Sequence, residues 1–382
     1  MVIDKTSLAL GRSMLQSIQV CRALAALLVV HVHATVMARV YAERYGSLDA
    51  ISNGVYNALD FGQLGVDLFF VISGFIMIFV THSLPPSRVS VQSFLERRIA
   101  RIVPLYWLFT FLLTALILLA PGVVVHNDLS GTFLLKSLFF IPVARSDGEI
   151  APLVAPGWTL NFEMFFYLSL GALLLLPARH RVWLLSLVFV CLAGVGFALP
   201  LGPAHPIASL LTSPLLLEFL YGCWISTLVL AGRIVGPSWS ALCVLVGVAG
   251  IVADFFLPLQ AFRHFSWGLP SALLVYGLLC LERAKGLRFP RFLVRIGDAS
   301  YSLYLVHWFV LPPVGRVWAK SGLGHYLPGD VLVVLGIVAS VGAALIVHRY
   351  LEDPLIRWAR RLLLPRRVLT DLEPGSSGVR PV

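Results

Sequence analysis

Apolar residues in this chain come in runs of about 20, the length a helix needs to cross the hydrocarbon core of a bilayer. Short stretches carrying Gly, Pro and Arg interrupt the runs. The pattern predicts spanning helices at 17–39, 60–82, 101–122, 157–176, 182–201, 211–231, 239–257, 268–284, 297–317 and 329–350. These segments and their loops use nearly all of the 382 residues. The expected architecture is therefore all-α: a polytopic integral membrane helical bundle of about ten transmembrane helices. One transmembrane domain is expected over 1–364. The Arg-, Pro-, Gly- and Ser-rich stretch 365–382 is expected to be a disordered cytoplasmic tail. No room remains for a soluble catalytic domain, so chemistry is expected inside the bundle or at its rims. The first run does not read as a cleavable signal peptide. It contains Arg22 and continues into Thr35-Val36-Met37-Ala38-Arg39 rather than a small-residue cleavage site.

Composition agrees. The chain is 58% hydrophobic and 13% charged, with a mean hydropathy of +0.88, about half the charged fraction of a soluble domain. The net charge of +10 is spread over alternate loops. Arg88, Arg97, Arg98 and Arg101 lie in one, Arg179 and Arg181 in the next, then Arg233, then Arg283, Lys285, Arg288 and Arg291, with Arg349 to Arg367 at the end. The positive-inside rule places these loops and both termini in the cytoplasm, as expected for a bacterial inner-membrane protein. Basic residues distributed this way fit membrane lipids as partners and argue against nucleic acid. Cys21, Cys191, Cys223, Cys243 and Cys280 are scattered with no CxxC pair, so neither a disulfide framework nor a zinc site is expected.

Ionisable groups inside the apolar runs are where function is sought, because each costs roughly 3 kcal/mol at a helix centre. Arg22 and His33 share the first run, eleven positions apart, which leaves them within roughly 20° of one helix face. His31 points to the other side and reads as structural or interfacial. Asp67, in GVDLFFVISGF, enters from the outer side, as does Glu163, in GWTLNFEMFFY. Thr159, Glu163 and Tyr167 share a face at i, i+4, i+8, and Ser300, Tyr304 and His307 at i, i+4, i+7. The result is a ladder: Arg22 low, His307 central, and His33, Asp67 and Glu163 towards the outside. Such a ladder suits a molecule that threads the membrane and reacts partway. The ladder also suits a proton or ion path, and a transporter or flippase for a glycan or lipid intermediate is the alternative that could use it. His180, His205, His264, His325 and His348 lie at loops or span ends. Trp158, Phe162, Phe165 and Phe166 form an aromatic stripe of the packing and interfacial kind.

The stretch FLERRIARIVPLYW adds Arg97, Arg98 and Arg101, spaced to point into one pocket at the membrane surface. Clustered guanidinium groups recognise phosphate, although anionic headgroups would satisfy them too. Pro104 is expected to allow a bend.

Together these pieces resemble the acyltransferase-3 family of bacterial membrane O-acyltransferases: Arg22 with His33, GVDLFFVISGF at 65–75, RRIAR at 97–101, GWTLNFEMFFY at 157–167 and SYSLYLVH at 300–307. The openings are most similar to the exopolysaccharide-acylating branch. The resemblance implies a cytosolic acyl-CoA donor, acetyl-CoA by default, and no metal. It implies a sugar hydroxyl acceptor on the periplasmic side, carried by an exopolysaccharide or lipid-linked oligosaccharide, with a polysaccharide assembly complex as a partner. It makes His33 the essential histidine and Arg22 its partner, with Arg98 and Arg101 on the donor. Glu163 matches the acidic residue of the tryptophan-containing motif, and Ser300, Tyr301 and Ser302 a motif near the acyl chamber. The catalytic candidates are then His33, Glu163, Arg22 and Asp67, with a carboxylate holding the imidazole. The donor-binding candidates are Arg97, Arg98, Arg101, Ser300, Tyr301, Ser302, Tyr304 and His307. Trp158, Asn161 and Tyr167 are the acceptor-binding candidates. No GxSxG elbow or Cys–His pair is present, which favours direct transfer.

Overall fold

The computed structural model describes residues 5–45, 62–120, 129–199, 201–256 and 263–363. The expected tail at 365–382 lies outside them. Helices dominate the described chain, and no strand occurs among the described residues. In order they are α1 (Lys5–Tyr45), α2 (Leu64–Thr81), α3 (Arg88–Leu119), α4 (Gly131–Leu138), α5 (Trp158–Leu173), α6 (Ala178–Ala198), α7 (Pro206–Leu211), α8 (Leu216–Leu230), α9 (Pro237–Phe256), α10 (Leu269–Lys285), α11 (Arg291–Asp298), α12 (Ser300–Ser321), α13 (Gly329–Val347) and α14 (Asp353–Leu363).

Each of the ten expected segments is occupied by helix, and eight described helical stretches are long and apolar enough to cross a membrane. The two segments that fall short are α5, with 16 residues, and α12, whose 22 residues include Tyr301, Tyr304, His307, Pro312, Pro313 and Arg316. Both carry the polar groups singled out above. A helix that faces a cavity instead of lipid can be shorter and more polar than its neighbours.

Two segment ends differ from expectation. α3 begins at Arg88 instead of 101, because Ser87 caps it: its side chain accepts from the Ser90 N–H at 3.1 Å. The helix then runs through Pro104 to Leu119, carrying the basic cluster on its third and fourth turns. The segment 211–231 is interrupted at Thr212–Leu215, around Pro214, so α7 and α8 are separate helices.

α1 is the hub. It packs against α2, α10, α11, α12 and α13, and its buried positions include Ile18, Ala25, Ala26, Val30 and Ala34. The small residues let neighbouring helices close in, the usual packing device in membranes. The tightest approach joins α2 to α8. A Cβ at Gly74 would overlap the Phe219 carbonyl oxygen, and one at Gly222 the Val71 carbonyl oxygen. Beside this contact Phe70, Phe219 and Phe166 stack with centroids 4.5 and 4.6 Å apart, tying α2, α8 and α5 together.

Arg181, one of the basic residues counted for topology, sits in the first turn of α6. Its side chain is buried and donates to the carbonyls of Thr81, Leu84 and Leu176 at 2.8, 2.8 and 3.0 Å. A guanidinium is well suited to this position, since the last carbonyls of α2 have no intrahelical donor and sit at the negative end of its dipole. The five cysteines are unpaired.

Candidate active site

A cavity of about 750 Å³, counting its open mouth, lies between α1, α2, α3, α5 and α12. α1 contributes Arg22 and α3 contributes Arg98 and Arg101; Thr159, Glu163 and Tyr167 come from α5, and Ser300, Tyr301 and Tyr304 from α12. Phe69, Phe70, Ile72 and Ile76 of α2 supply an apolar wall. Among the described residues Glu163 is the only acidic residue of the lining, and the charges of Arg101, Arg22 and Arg98 all act on it. Its Oε2 accepts from the Tyr167 hydroxyl one turn on, at 2.8 Å, and Tyr167 in turn meets Ser73 Oγ at 3.4 Å. Arg22 donates to Gln19 Oε1 at 3.2 Å. Arg98 Nε and Ser300 Oγ are buried with no hydrogen-bond partner. Three guanidinium groups around one carboxylate leave net positive charge, and their open donors fit an anionic, oxygen-rich ligand.

Two tyrosines of α12 set the walls. Tyr301 donates to the Ile102 carbonyl at 2.8 Å, tying α12 to α3. Tyr304 donates to the Pro156 carbonyl at 2.7 Å, and its hydroxyl pairs with Thr159 Oγ1 at 2.9 Å. This latch holds the start of α5 against α12.

His33 sits eleven residues along α1 from Arg22, about 16 Å of helix. It is half-buried and is absent from the cavity lining. Its ring centroid is 4.9 Å from that of His307 and 5.6 Å from Trp308, and His307 is 6.2 Å from Tyr304. His33 is thus two rings removed from the cavity wall. The expectation that a carboxylate would orient it is not met. His33 Nδ1 lies 2.8 Å from the Val29 carbonyl and His307 Nδ1 lies 3.0 Å from the Leu303 carbonyl. A carbonyl can only accept, so each Nδ1 carries the hydrogen and each neutral ring keeps its lone pair at Nε2. The preceding helical turn does the work expected of an acid.

Asp67 has other partners. It is fully buried and receives a bidentate contact from Arg263, 2.7 Å from NH2 to Oδ2 and 3.0 Å from Nε to Oδ1. Arg263 also donates to Gln63 and stacks over Trp267 at 4.8 Å. The buried Glu218 lies beside the pair. Asp67 therefore joins α2 to the segment just before α10, and its side-chain partner is Arg263 instead of His33. Ser302 also leaves the cavity that its neighbours line: it donates to Glu352 Oε2 at 2.6 Å, and Glu352 meets His348 Nδ1 at 2.9 Å. His307 belongs with His33 instead of with Ser300 and Tyr301. Of the remaining candidates, Arg97 and Trp158 are half-buried and Asn161 is buried, its Oδ1 without a partner; none of the three lines the cavity. Among the described residues no group of His, Cys, Asp or Glu side chains is arranged to hold a metal ion.

Sequence reading passed over Arg263, Glu218, Glu352 and Trp308. Glu218 was visible as a lone acid in an apolar run, the same signal that marked Asp67. Arg263 and Glu352 sit at span ends, where charge is ordinary, so only the fold reveals their partners.

The profile of a family described as an acyltransferase domain, of the acyltransferase-3 type, matches residues 15–349. The chain belongs to the acyltransferase-3 family. It is 36% identical over 313 residues to the exopolysaccharide production protein ExoZ of Rhizobium meliloti (strain 1021), covering 78% of this chain and 91% of that protein. It is 26% identical over 352 residues to the acyltransferase MdmB of Streptomyces mycarofaciens, covering 82% of this chain and 85% of the relative. No solved structure matches it significantly. As a family member with this helical bundle, the chain is a multi-pass membrane O-acyltransferase.

Proposed function

We propose that this acyltransferase takes an acyl group, acetyl by default, from acyl-CoA on the cytoplasmic side of a bacterial inner membrane. It passes the group to a sugar hydroxyl of an exopolysaccharide or lipid-linked glycan on the periplasmic side. The observation that carries the reading is the convergence of Arg22, Arg98 and Arg101 on one cavity whose opposite wall is apolar. Phosphates of the donor suit the arginines at the mouth, and the pantetheine arm suits the wall formed by α2 and α12. The name of the rhizobial relative concerns exopolysaccharide production, which supports a polysaccharide acceptor here.

In this reading the basic loops and both termini face the cytoplasm, so the cavity opens inward and His33 lies toward the periplasm. Residues 1–364 act as one transmembrane domain. His33 Nε2, held free by the Nδ1 contact to Val29, takes the proton of the acceptor hydroxyl. The oxygen attacks the thioester carbonyl, a C–O bond forms, the C–S bond breaks, and the sulfur leaves with the proton as thiol. The thioester reaches His33 by passing Tyr304, whose hydroxyl latch to Pro156 and Thr159 closes the inner end of the path. Arg22 and Ser300 stand on the cavity side, where they hold polar and anionic groups of the bound donor.

The test uses purified protein, acetyl-CoA and de-esterified exopolysaccharide, with free thiol as the readout. His33→Ala lowers turnover by about 10²–10⁴, while Arg98→Ala and Arg101→Ala raise the acetyl-CoA requirement and flatten its salt dependence. Wild-type turnover in His33→Ala refutes the base assignment. An unchanged donor requirement in both arginine variants refutes the donor mouth.

A further inference from the structure

Glu352, the residue just before α14, accepts from Ser302 Oγ at 2.6 Å. That bond fixes the start of α14 beside Ser300 and Tyr301, which line the cavity. From there α14 packs along α3, with Leu355 and Ala359 on its inward seam. Arg360 follows Ala359 and flanks the seam, whereas the exposed Arg357 and Arg361 lie roughly 160° round the helix from Ala359. The charges of Arg101 and Arg97 both act on Arg360, and that of Arg360 acts on Arg98. Four guanidinium groups from two helices thus share one mouth. None of the four makes an ion pair among the described residues, and Arg97 Nε and Arg98 Nε are buried without a hydrogen-bond partner. The acids that their charges reach are hydrogen-bonded elsewhere, Glu163 to Tyr167 and Glu352 to Ser302 and His348. Like charges gathered without a counter-ion repel, and a polyanionic ligand is what relieves them.

The four are not equivalent. Arg98 and Arg101 line the cavity, while Arg97, one turn before Arg101, and Arg360 stand outside the lining. Acyl-CoA has a matching order along its length: the pantetheine arm, then a diphosphate, then a ribose whose 3′-phosphate is the end farthest from the thioester. With the thioester inside and the diphosphate at Arg98 and Arg101, the terminal phosphate lies outside the cavity. We infer that Arg360 and Arg97 form an outer subsite for the donor's 3′-phosphate, by which the enzyme distinguishes acyl-CoA from thioesters lacking that group. The inference rests on acyl-CoA as the donor. A phosphate monoester offers three acceptor oxygens to two planar donors arriving from different helices, and the subsite touches no reacting atom. Lipid headgroups carry phosphate too, but they would meet Arg357 and Arg361 as readily as Arg360.

The experiment compares acetyl-CoA with acetyl-dephospho-CoA, which lacks only the 3′-phosphate, as donors to the full-length protein in detergent. De-esterified exopolysaccharide is the acceptor and free thiol the readout. Wild type should favour acetyl-CoA by about tenfold or more in kcat/KM, the contribution expected of hydrogen bonds to a charged group. Arg360→Ala should raise the KM for acetyl-CoA about tenfold with kcat within about twofold of wild type. Its KM for acetyl-dephospho-CoA should stay within about twofold, so that the preference disappears. Arg361→Ala, on the far face of the same helix, should keep the wild-type preference. No preference in the wild type, a preference that survives Arg360→Ala, or an equal loss in Arg361→Ala overturns the subsite; the last result marks α14 as a headgroup-binding surface. Failure of the donor reading looks different: the wild-type protein then releases thiol from neither thioester when acceptor is added.

Discussion

At the scale of single residues, the fate of Asp67 and His33 shows how spacing along a helix differs from partnership across a bundle. Both were read as parts of one outward acid–imidazole group. Asp67 is instead the buried half of a two-point contact with Arg263, and His33 takes its orientation from its own helix. A buried carboxylate stripped of its counter-ion is costly. Arg263→Ala is therefore expected to destabilise the protein by about 3 kcal/mol, seen as a lower midpoint of thermal unfolding in detergent. The double variant Arg263→Ala with Asp67→Leu should recover most of the loss. If the double variant is as unstable as the single one, the ion pair is not what holds α2 to α10. Arg22, Arg98, Arg101 and Glu163 line one cavity. Each stood out as a charged group inside or beside an apolar run, but Glu163 was expected towards the outer side with His33 and not among the arginines. Their cost in lipid makes them conspicuous. Glu352 escaped notice because it sits past the end of a span. Its role depends on Ser302 and His348, fifty and four positions away.

At the scale of elements, periodic apolar runs made the helices readable, but not their relations. Segment length predicted α2, α9 and α13 to within a few residues because a helix that crosses the hydrocarbon layer obeys a length rule whichever way it faces. It could not predict α11 and α14, short helices outside the spans, nor the extension of α3 back to Arg88, which depends on the Ser87 cap. The contact between α2 and α8 is likewise invisible in one dimension, since glycines abound in apolar runs and only some mark a crossing. Gly222 has the Val71 carbonyl oxygen where a Cβ would go, while Gly194 has nothing within 4 Å. Gly222→Leu should cost at least about 3 kcal/mol through overpacking, with loss of the monodisperse peak in detergent. Gly194→Ala should be neutral, or stabilising by about 0.5 kcal/mol. Equal tolerance of the two would contradict the α2–α8 crossing.

For the whole molecule, the helices that are too short or too polar for lipid are the ones that face inward. α5 and α12 meet at the Tyr304–Thr159 pair, and around them α1, α2 and α3 complete a chamber. Arginines gather on one side of that pair and the two histidines on the other. A transporter could be built on the same plan, but it would leave a thioester intact. The central claim is that the acyl group crosses the membrane while CoA does not. Proteoliposomes with acetyl-CoA confined to the face bearing the basic loops, and de-esterified exopolysaccharide confined to the other, test it directly. Free thiol should accumulate on the donor side and acetyl ester on the acceptor side, in equal amounts, and His33→Ala should abolish both. Ester formation only when donor and acceptor share one compartment would contradict the account.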